Sequence, residues 1–272
     1  MVKPSDKDEI PGWMTVEGAF IDGYERSFGD CESGGKILST EQVHDKPVGF
    51  SVRGGTERNT TGILFWKKPF IIPDPKKPSG KLCVLLMDTQ GLWDPETHNK
   101  LNSCIFGLSC VLSSYLIFNH KGTLNSEHLS QMAMLSTFSQ GLSSTEMGKA
   151  FQRIDLLCRD FANIDPTGES SDVALQEIRQ WKREVEEKPA FKPSTDKLKE
   201  CFERFDVMCL PRPGFIDNKA YDGDISKINT LFMCMLGHYI ESVFQQIEPR
   251  RIGGQIVTGK RFKEYDLMKM IE

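Results

Sequence analysis

The sequence predicts an α/β protein with a mostly parallel sheet flanked by helices. Two observations lead to this prediction. Apolar runs of strand length alternate with stretches of helical periodicity from residue 48 onward. Two of those runs, residues 82–87 and 111–119, are short and nearly continuous, which is typical of strands buried on both faces.

The first half of the chain begins without regular patterning. Residues 1–47 are rich in Gly, Asp, Glu, Lys and Ser, and we expect a divergent, loop-rich or disordered segment there. Residues 62–72 are β-branched and aromatic, which predicts a strand. A turn at 73–80, rich in Pro, Lys and Gly, separates it from the strand at 82–87.

The second half alternates regularly. Strands are predicted at residues 111–119, 153–158 and 206–210, with a short hairpin at 252–257. Apolar residues at helical spacing predict helices at 99–109, 126–142, 171–187, 195–205 and 225–244, and a charged helix at the C-terminus.

Composition narrows the classes of function. The chain is 39% hydrophobic and 26% charged with a net charge of −4, which argues against whole-domain attraction to nucleic acid. The eight cysteines form no CxxC pair, and we interpret them as reduced core residues of a cytosolic protein. No apolar stretch has the length of a membrane span, so we expect no membrane anchor in this chain.

The strand at 82–87 is followed by Asp88 and then by Gln90 and Gly91. A carboxylate at the carboxyl edge of a sheet lies where α/β folds bind ligands. In nucleotide-hydrolysing proteins an Asp there supports Mg²⁺, and a nearby Gln orients the attacking water. An ordinary turn after a strand explains the same residues equally simply.

Two further segments carry candidate chemistry. A Gly/Arg/Thr loop at 49–63 suits a switch that orders around phosphate and Mg²⁺, or else is a solvated basic loop. The strand at 153–158 ends in Arg159 and Asp160. The Asp160 carboxylate can accept hydrogen bonds from guanine N1–H and the exocyclic amine, although a surface ion pair is the alternative interpretation.

Taken in order, these segments resemble the G domain shared by the atlastins and guanylate-binding proteins, a family of dynamin-like large GTPases, and the resemblance is closest to atlastin. Residues 53–63 (RGGTERNTTGI) are similar to its switch I, and 84–91 (VLLMDTQG) to its switch II. Residues 158–160 (CRD) resemble its guanine-reading motif, and 209–214 (CLPRPG) with 222–223 (DG) the start of its guanine cap.

The resemblance implies a P-loop GTPase-like fold and a role for each matched residue. Thr60 and Asp88 would hold Mg²⁺, and Gln90 with Gly91 would face the γ-phosphate, so that Gln90 and Thr60 are the catalytic candidates. Arg159 and Asp160 would read the base, with Asn218 as a further base contact. The remaining matched residues, expected in switch rearrangement or dimer contacts, are Arg53 and Arg58.

The phosphate-binding loop departs from the family's pattern. These GTPases need G-x-x-x-x-G-K-[ST], whose amides, Lys and hydroxyl bind the phosphates and Mg²⁺. Residues 18–25 (GAFIDGYE) keep the two glycines but have Tyr24 and Glu25 in place of Lys and Ser. A chance match in a Gly-rich segment is the alternative interpretation. We therefore expect a G domain at 48–272 that lacks the first strand, the P-loop and the first helix.

Two functions of different class follow from the resemblance. One is a GTPase that binds GTP with Mg²⁺ and hydrolyses it to GDP. The other is a truncated or pseudo-GTPase that does not hydrolyse GTP, because the P-loop Lys-Ser is absent. The family further implies a homodimer through the G-domain face and a place at the cytosolic face of the endoplasmic reticulum in membrane fusion. That process needs a helical bundle and an anchor that we do not expect here.

Overall fold

A parallel sheet of three strands forms the centre of the structure, which is a computed structural model. It describes residues 62–66, 69–91, 99–140, 148–164, 171–214, 227–252 and 254–258. The predictions for the segment 1–47, for Arg53, Arg58, Thr60 and Asn218, and for the C-terminal helix lie outside these residues.

The strands in chain order are β1 Ile63–Phe65, β2 Phe70–Asp74, β3 Lys77–Val84, β4 Met87–Thr89, β5 Leu116–Lys121, β6 Phe151–Arg159, β7 Phe202–Cys209, β8 Arg251–Ile252 and β9 Gln255–Ile256. The helices are α1 Asn99–Leu112, α2 Ser126–Gln140, α3 Ser171–Glu187, α4 Lys192–Cys201 and α5 Thr230–Gln246. The predicted α/β class with a parallel sheet between helices is confirmed.

The parallel sheet has the order β5-β6-β7. Eight consecutive residues of β6, from Phe151 to Cys158, are buried, because strands flank β6 on both sides and the sheet is covered on both faces. One continuous cluster of buried side chains joins this sheet to the helices. Its largest fully buried members include Phe151, Phe161, Phe202, Leu129 and Met132.

The predicted strand at 62–72 is wrong in one respect, because the structure divides it into β1 and β2, which belong to different sheets. β1 pairs with β4 and β2 pairs with β3, both antiparallel. Pro69 lies immediately before β2 and has no N–H to donate, so a continuous ladder through it is disfavoured.

The strand predicted at 82–87 is also two strands, β3 and β4, and neither belongs to the parallel sheet. β3 begins at Lys77, so the chain reverses in a tight turn at Pro75 and Lys76 rather than over the whole of 73–80. Lys81 and Cys83 are exposed while Leu82 is buried, which is the alternation of a strand with one covered face.

The helices α1 and α2 begin at the predicted residues and end at Leu112 and Gln140, and α3 begins and ends as predicted. The strand predicted at 111–119 is wrong in its bounds, because residues 111–112 belong to α1 and β5 runs from Leu116 to Lys121. Alternate residues of β5 are exposed, so this edge strand is not buried on both faces. The helix predicted at 195–205 instead occupies Lys192–Cys201. Pro193 near its first turn suits a helix start, and the aromatic residues that follow Cys201 extend as β7. The helix predicted at 225–244 begins at Thr230, with Asn229 as its N-cap.

Among the described residues, six cysteines carry free thiols, namely Cys83, Cys104, Cys110, Cys158, Cys201 and Cys209. Cys83 and Cys104 are exposed, so the prediction that the cysteines are core residues is wrong for these two. Cys234 is disulfide-bonded, which contradicts the prediction that all cysteines are reduced. Within the part of the chain that the structure describes, no helix combines the length and apolarity needed to cross a bilayer.

Candidate functional site

The carboxyl ends of β5, β6 and β7 meet at one edge of the parallel sheet, and hydrogen bonds connect them there. The Gly122 amide donates to the Arg159 carbonyl at 2.5 Å, and the Phe161 amide donates to the Leu210 carbonyl at 2.9 Å. The Leu210 amide donates to the Cys158 carbonyl, also at 2.9 Å. These hydrogen bonds fix the first residues of the three loops relative to one another. Ligands of α/β proteins bind at this edge of the sheet.

Asp160 leaves the end of β6 in a left-handed backbone conformation, with φ of +55°. Among the described residues other than glycine, it alone has a positive φ. Asp tolerates this conformation better than most residues, so its side-chain type suits its position. The backbone turns here because Phe161 returns into the core, where it is 1% exposed and packs against Trp181 with ring centroids 5.7 Å apart.

The Asp160 carboxylate is partly open, with 20% of the side chain exposed. Its Oδ2 lies 3.7 Å from Nζ of Lys121, whose side chain is 66% exposed. The contact is long and the Lys121 side chain is largely exposed, and exposed ion pairs of this kind contribute little to the free energy of folding. The carboxylate is therefore positioned at the edge without being committed to a strong internal partner.

Arg159 precedes Asp160 and lies beside β5. Its Nε–H donates to Oδ1 of Asn119. The register of the two strands makes Lys121 and Arg159 direct neighbours. The structure thus brings together the two predicted base-reading residues, Arg159 and Asp160, with Asn119 and Lys121 of the adjacent strand.

Sequence reasoning missed Asn119, His120 and Lys121. A usable signal existed, because these polar residues follow an apolar run in the same way as Arg159 and Asp160 do. His120 packs against His128 of α2, with ring centroids 4.6 Å apart. Burial lowers the pKa of His120, and the nearby His128 and Arg159 lower it further, so the ring is held neutral at physiological pH.

The predicted phosphate-side residues lie on the other, antiparallel part of the structure. Asp88 is in β4 opposite Leu64 of β1 and is half-buried. Gly91 is exposed just beyond it, and a Cβ built there would meet open space. Among the described strands, no ladder joins β1 and β4 to the parallel sheet.

Gln90 is almost fully buried, with 2% of its surface exposed. Its backbone N–H donates to the Gly62 carbonyl at 2.9 Å, and its side-chain Oε1 accepts from the Gly62 N–H at 3.2 Å. Gly62 lies at the end of the predicted switch I segment, residues 53–63, so the Gln90 side chain connects the two predicted switches. A water-orienting role for Gln90 would require this side chain to leave Gly62, and that role stays a prediction.

Comparison with known proteins defines the class. Residues 33–248 match the family described as "Guanylate-binding protein, N-terminal domain". Because the match spans most of the chain, the protein belongs to this family. The matched span begins at Ser33, after the glycine-rich segment 18–25.

Its individual relatives are atlastins. The chain is 28% identical to Atlastin-1 of Bos taurus over 229 residues, covering 82% of this chain and 40% of that protein. It is 27% identical to Atlastin of Drosophila melanogaster over 232 residues, covering 84% and 42%. It is 28% identical to Atlastin-2 of Xenopus laevis over 226 residues, covering 80% and 39%. The chain thus spans about two fifths of the length of these curated relatives.

Proposed function

We propose that this chain binds guanine nucleotides at the carboxyl edge of β5, β6 and β7, with Asp160 reading the base. The observation that carries the proposal is the Asp160 carboxylate, which the left-handed turn and the buried Phe161 hold at this edge. A carboxylate accepts hydrogen bonds from guanine N1–H and the exocyclic amine. Adenine presents an unprotonated N1 there, which would repel the carboxylate.

Arg159 supplies a planar cation beside the carboxylate. A guanidinium can stack on a purine face or donate to its acceptors, and it stays charged at all relevant pH values. Its Nε–H donates to Asn119, so the terminal N–H groups are the ones left for a ligand. The Arg159–Asp160 pair thereby offers one donor set and one acceptor set to a base.

Mg²⁺ fits the donor chemistry on the phosphate side. Asp88 provides the hard oxygen ligand that this ion prefers, and the resemblance adds Thr60, which lies outside the described residues. The described residues contain no group of three or more His, Cys, Asp or Glu that could hold a metal. A site with one or two protein ligands completed by phosphates and water is the arrangement that Mg²⁺ commonly adopts with nucleotides.

Hydrolysis of GTP to GDP, with Gln90 and Thr60 in the catalytic roles, is the activity that the family resemblance implies. A homodimer through the G-domain face, with Arg53 and Arg58 in its contacts, belongs to the same proposal. So does a place at the cytosolic face of the endoplasmic reticulum in membrane fusion. These stay proposals, since the chain covers about two fifths of its relatives.

A truncated or pseudo-GTPase that does not hydrolyse GTP is the second candidate. One observation favours it, namely Tyr24 and Glu25 at the positions where the P-loop Lys and Ser would stand. A Glu near triphosphate oxygens is repulsive, and the loss of the Lys removes a phosphate ligand.

Titration of the purified chain with a fluorescent GTP analogue, with and without Mg²⁺, tests the proposal. Micromolar binding that unlabelled GTP displaces and ATP does not is the expected result. Phosphate release measured in the same samples separates the two candidates, because only the GTPase produces GDP. A folded protein that binds neither nucleotide would overturn the proposed function.

Asp160→Asn is the sharpest single change for the base assignment. The amide Nδ2–H₂ would donate where the carboxylate accepted, so GTP affinity should fall about 10-fold or more while affinity for XTP, whose C2 carries a carbonyl, should rise. Competition titrations with GTP and XTP measure both. Asp196→Asn, on the exposed face of α4, is the matched control and should change neither affinity. Unchanged GTP affinity in Asp160→Asn would place the base elsewhere.

A further inference from the structure

Arg159 and Lys121 are direct neighbours in the parallel ladder of β5 and β6. Two like charges at paired positions repel each other, so their side chains need separate partners. Lys121 turns toward Asp160, with its Nζ 3.7 Å from Oδ2. Arg159 turns the opposite way, and its Nε–H bonds to Oδ1 of Asn119, two residues back along β5.

The direction taken by Arg159 matters because Asp160 follows it directly in the chain. A free guanidinium next to a carboxylate would form a bidentate ion pair, which is the geometry that Arg favours. Such a pair would use one acceptor position on each carboxylate oxygen, and these are the positions that guanine N1–H and the exocyclic amine need. Among the described residues, the ion pair within 4.0 Å that Asp160 makes is the long one with Lys121.

We propose that Asn119 is a positioning residue for guanine recognition, which keeps Arg159 from closing on Asp160 and so leaves the Asp160 carboxylate open for the base. This inference rests on the proposed function. The inference extends the proposed function, because it assigns part of the guanine preference to Asn119 on the neighbouring strand, 40 residues away from Arg159 in sequence.

The chemistry of Asn119 suits this task. Its Oδ1 is a neutral acceptor, so it holds one N–H of Arg159 without neutralising the guanidinium. The terminal N–H groups of Arg159 remain for a ligand. Asn119 lies on the exposed end of β5, so replacing it removes the hydrogen bond without opening a cavity in the core.

The test compares GTP with ITP, whose base lacks the exocyclic amine. The affinity ratio of the two reports the contact between that amine and Asp160. We expect a wild-type ratio of about 10, because a hydrogen bond to a charged group is lost with ITP. Asn119→Leu should lower the ratio several-fold, and Asn119→Asp, which keeps an acceptor for Arg159, should retain it.

A double variant separates positioning from a structural role. In Asn119→Leu with Arg159→Gln, no guanidinium is left to cover Asp160, so the GTP/ITP ratio should return toward the wild-type value. General damage to the fold would weaken the binding of GTP and ITP equally, and the Arg159→Gln substitution would not restore it. A ratio unchanged by Asn119→Leu, or unrestored in the double variant, would overturn the role of Asn119.

A nucleotide-free measurement completes the test. The exchange of the Arg159 Nε–H with solvent, followed by NMR, should quicken in Asn119→Leu, which has no acceptor, and stay slow in Asn119→Asp, which keeps one. One outcome is that wild-type protein discriminates GTP from ATP while Asn119→Leu changes neither the Arg159 Nε–H exchange nor the GTP/ITP affinity ratio. In that case the inference fails and the proposed function stands. If wild-type protein does not discriminate the two nucleotides, the proposed function fails and the inference with it.

Discussion

Asp155 is a buried carboxylate in the middle of β6, with 2% of its surface exposed. It accepts hydrogen bonds from Arg153 Nε at 2.8 Å, from the Tyr115 hydroxyl at 2.5 Å and from the Tyr239 hydroxyl at 3.3 Å. Burial and the nearby Asp155 charge raise the pKa of both tyrosines, which therefore stay protonated as donors. A charged pair inside a central strand is tolerated here because each of its groups has a partner.

Replacing Asp155 by Ala should be strongly destabilising. The change removes the close ion-pair partner of the Arg153 guanidinium, which is buried at 7% exposure and keeps only the longer pair with Asp206 at 3.8 Å. It also removes the acceptor of two tyrosine hydroxyls. We expect the free energy of unfolding to fall by about 3–5 kcal/mol, measured by urea denaturation. Asp196→Ala, in an exposed pair with Lys192, should change it by less than about 0.5 kcal/mol. Equal effects of the two changes would refute a stabilising role for the buried network.

At the scale of elements, the start of α5 is tied to the loop that follows β7. The Asn229 side chain caps the helix by accepting from the amides of Leu231 at 2.9 Å and Phe232 at 3.3 Å. The Asn229 amide donates to the Pro213 carbonyl at 2.9 Å. Asn229 therefore joins the residues that follow β7 to the first turn of α5.

Asn229→Ala should cost about 1 kcal/mol of stability, because two helix amides lose their acceptor. Asn229→Asp keeps a capping oxygen and should cost much less, so it serves as the control. Hydrogen exchange of the Leu231 and Phe232 amides should quicken only in the Ala variant. Identical exchange in both variants would show that the cap is not what protects these amides.

At the scale of the whole molecule, Glu248 connects the antiparallel hairpin to the parallel sheet. Its carboxylate pairs with Lys76 in the turn between β2 and β3, with Arg204 of β7, and with Arg251 of β8 at 3.7 Å. Partial burial by itself raises the pKa of Glu248, but the Lys76 hydrogen bond and the charges of Arg204 and Arg251 outweigh it, and the net effect lowers the pKa.

The sign of this shift fixes a pH dependence. Because the folded-state pKa lies below the unfolded value near 4.5, the contribution of Glu248 is fully present above that value and is lost as the pH falls through the folded pKa. Stability of the wild-type protein should therefore drop more between pH 6 and about pH 3.5 than that of Glu248→Gln. Thermal unfolding at the two pH values measures this, with Glu241→Gln as control. Parallel losses in the wild type and Glu248→Gln would contradict the assignment.

In the part of the chain that the structure describes, the parallel sheet ends at β5. Among the described strands, β5 pairs only with β6, and Ile117 on β5 is 39% exposed. The sequence-based expectation of a missing first strand concerns residues outside the described part of the chain, and it stays a prediction. The predicted domain boundary between residues 47 and 48 also stays a prediction.

The sequence by itself determined the class of fold and the position of the two candidate base-reading residues. Helical periodicity is a local property, so α3 could be delimited at both ends. Arg159 and Asp160 were predicted at the end of a strand, and the structure confirms that β6 ends at Arg159, because an apolar strand followed by polar residues marks its own end. The carboxyl-edge position predicted for Asp88 is wrong, since Asp88 lies in the antiparallel pair of β1 and β4.

Tertiary structure alone decided the pairing. A continuous apolar run such as 82–87 looks the same in a buried parallel strand and in an antiparallel hairpin, and only its partners distinguish the two. The contact between Asn119 and Arg159 likewise depends on the register of β5 against β6. Register is set by the packing of both strands between helices, which no local pattern in either segment encodes.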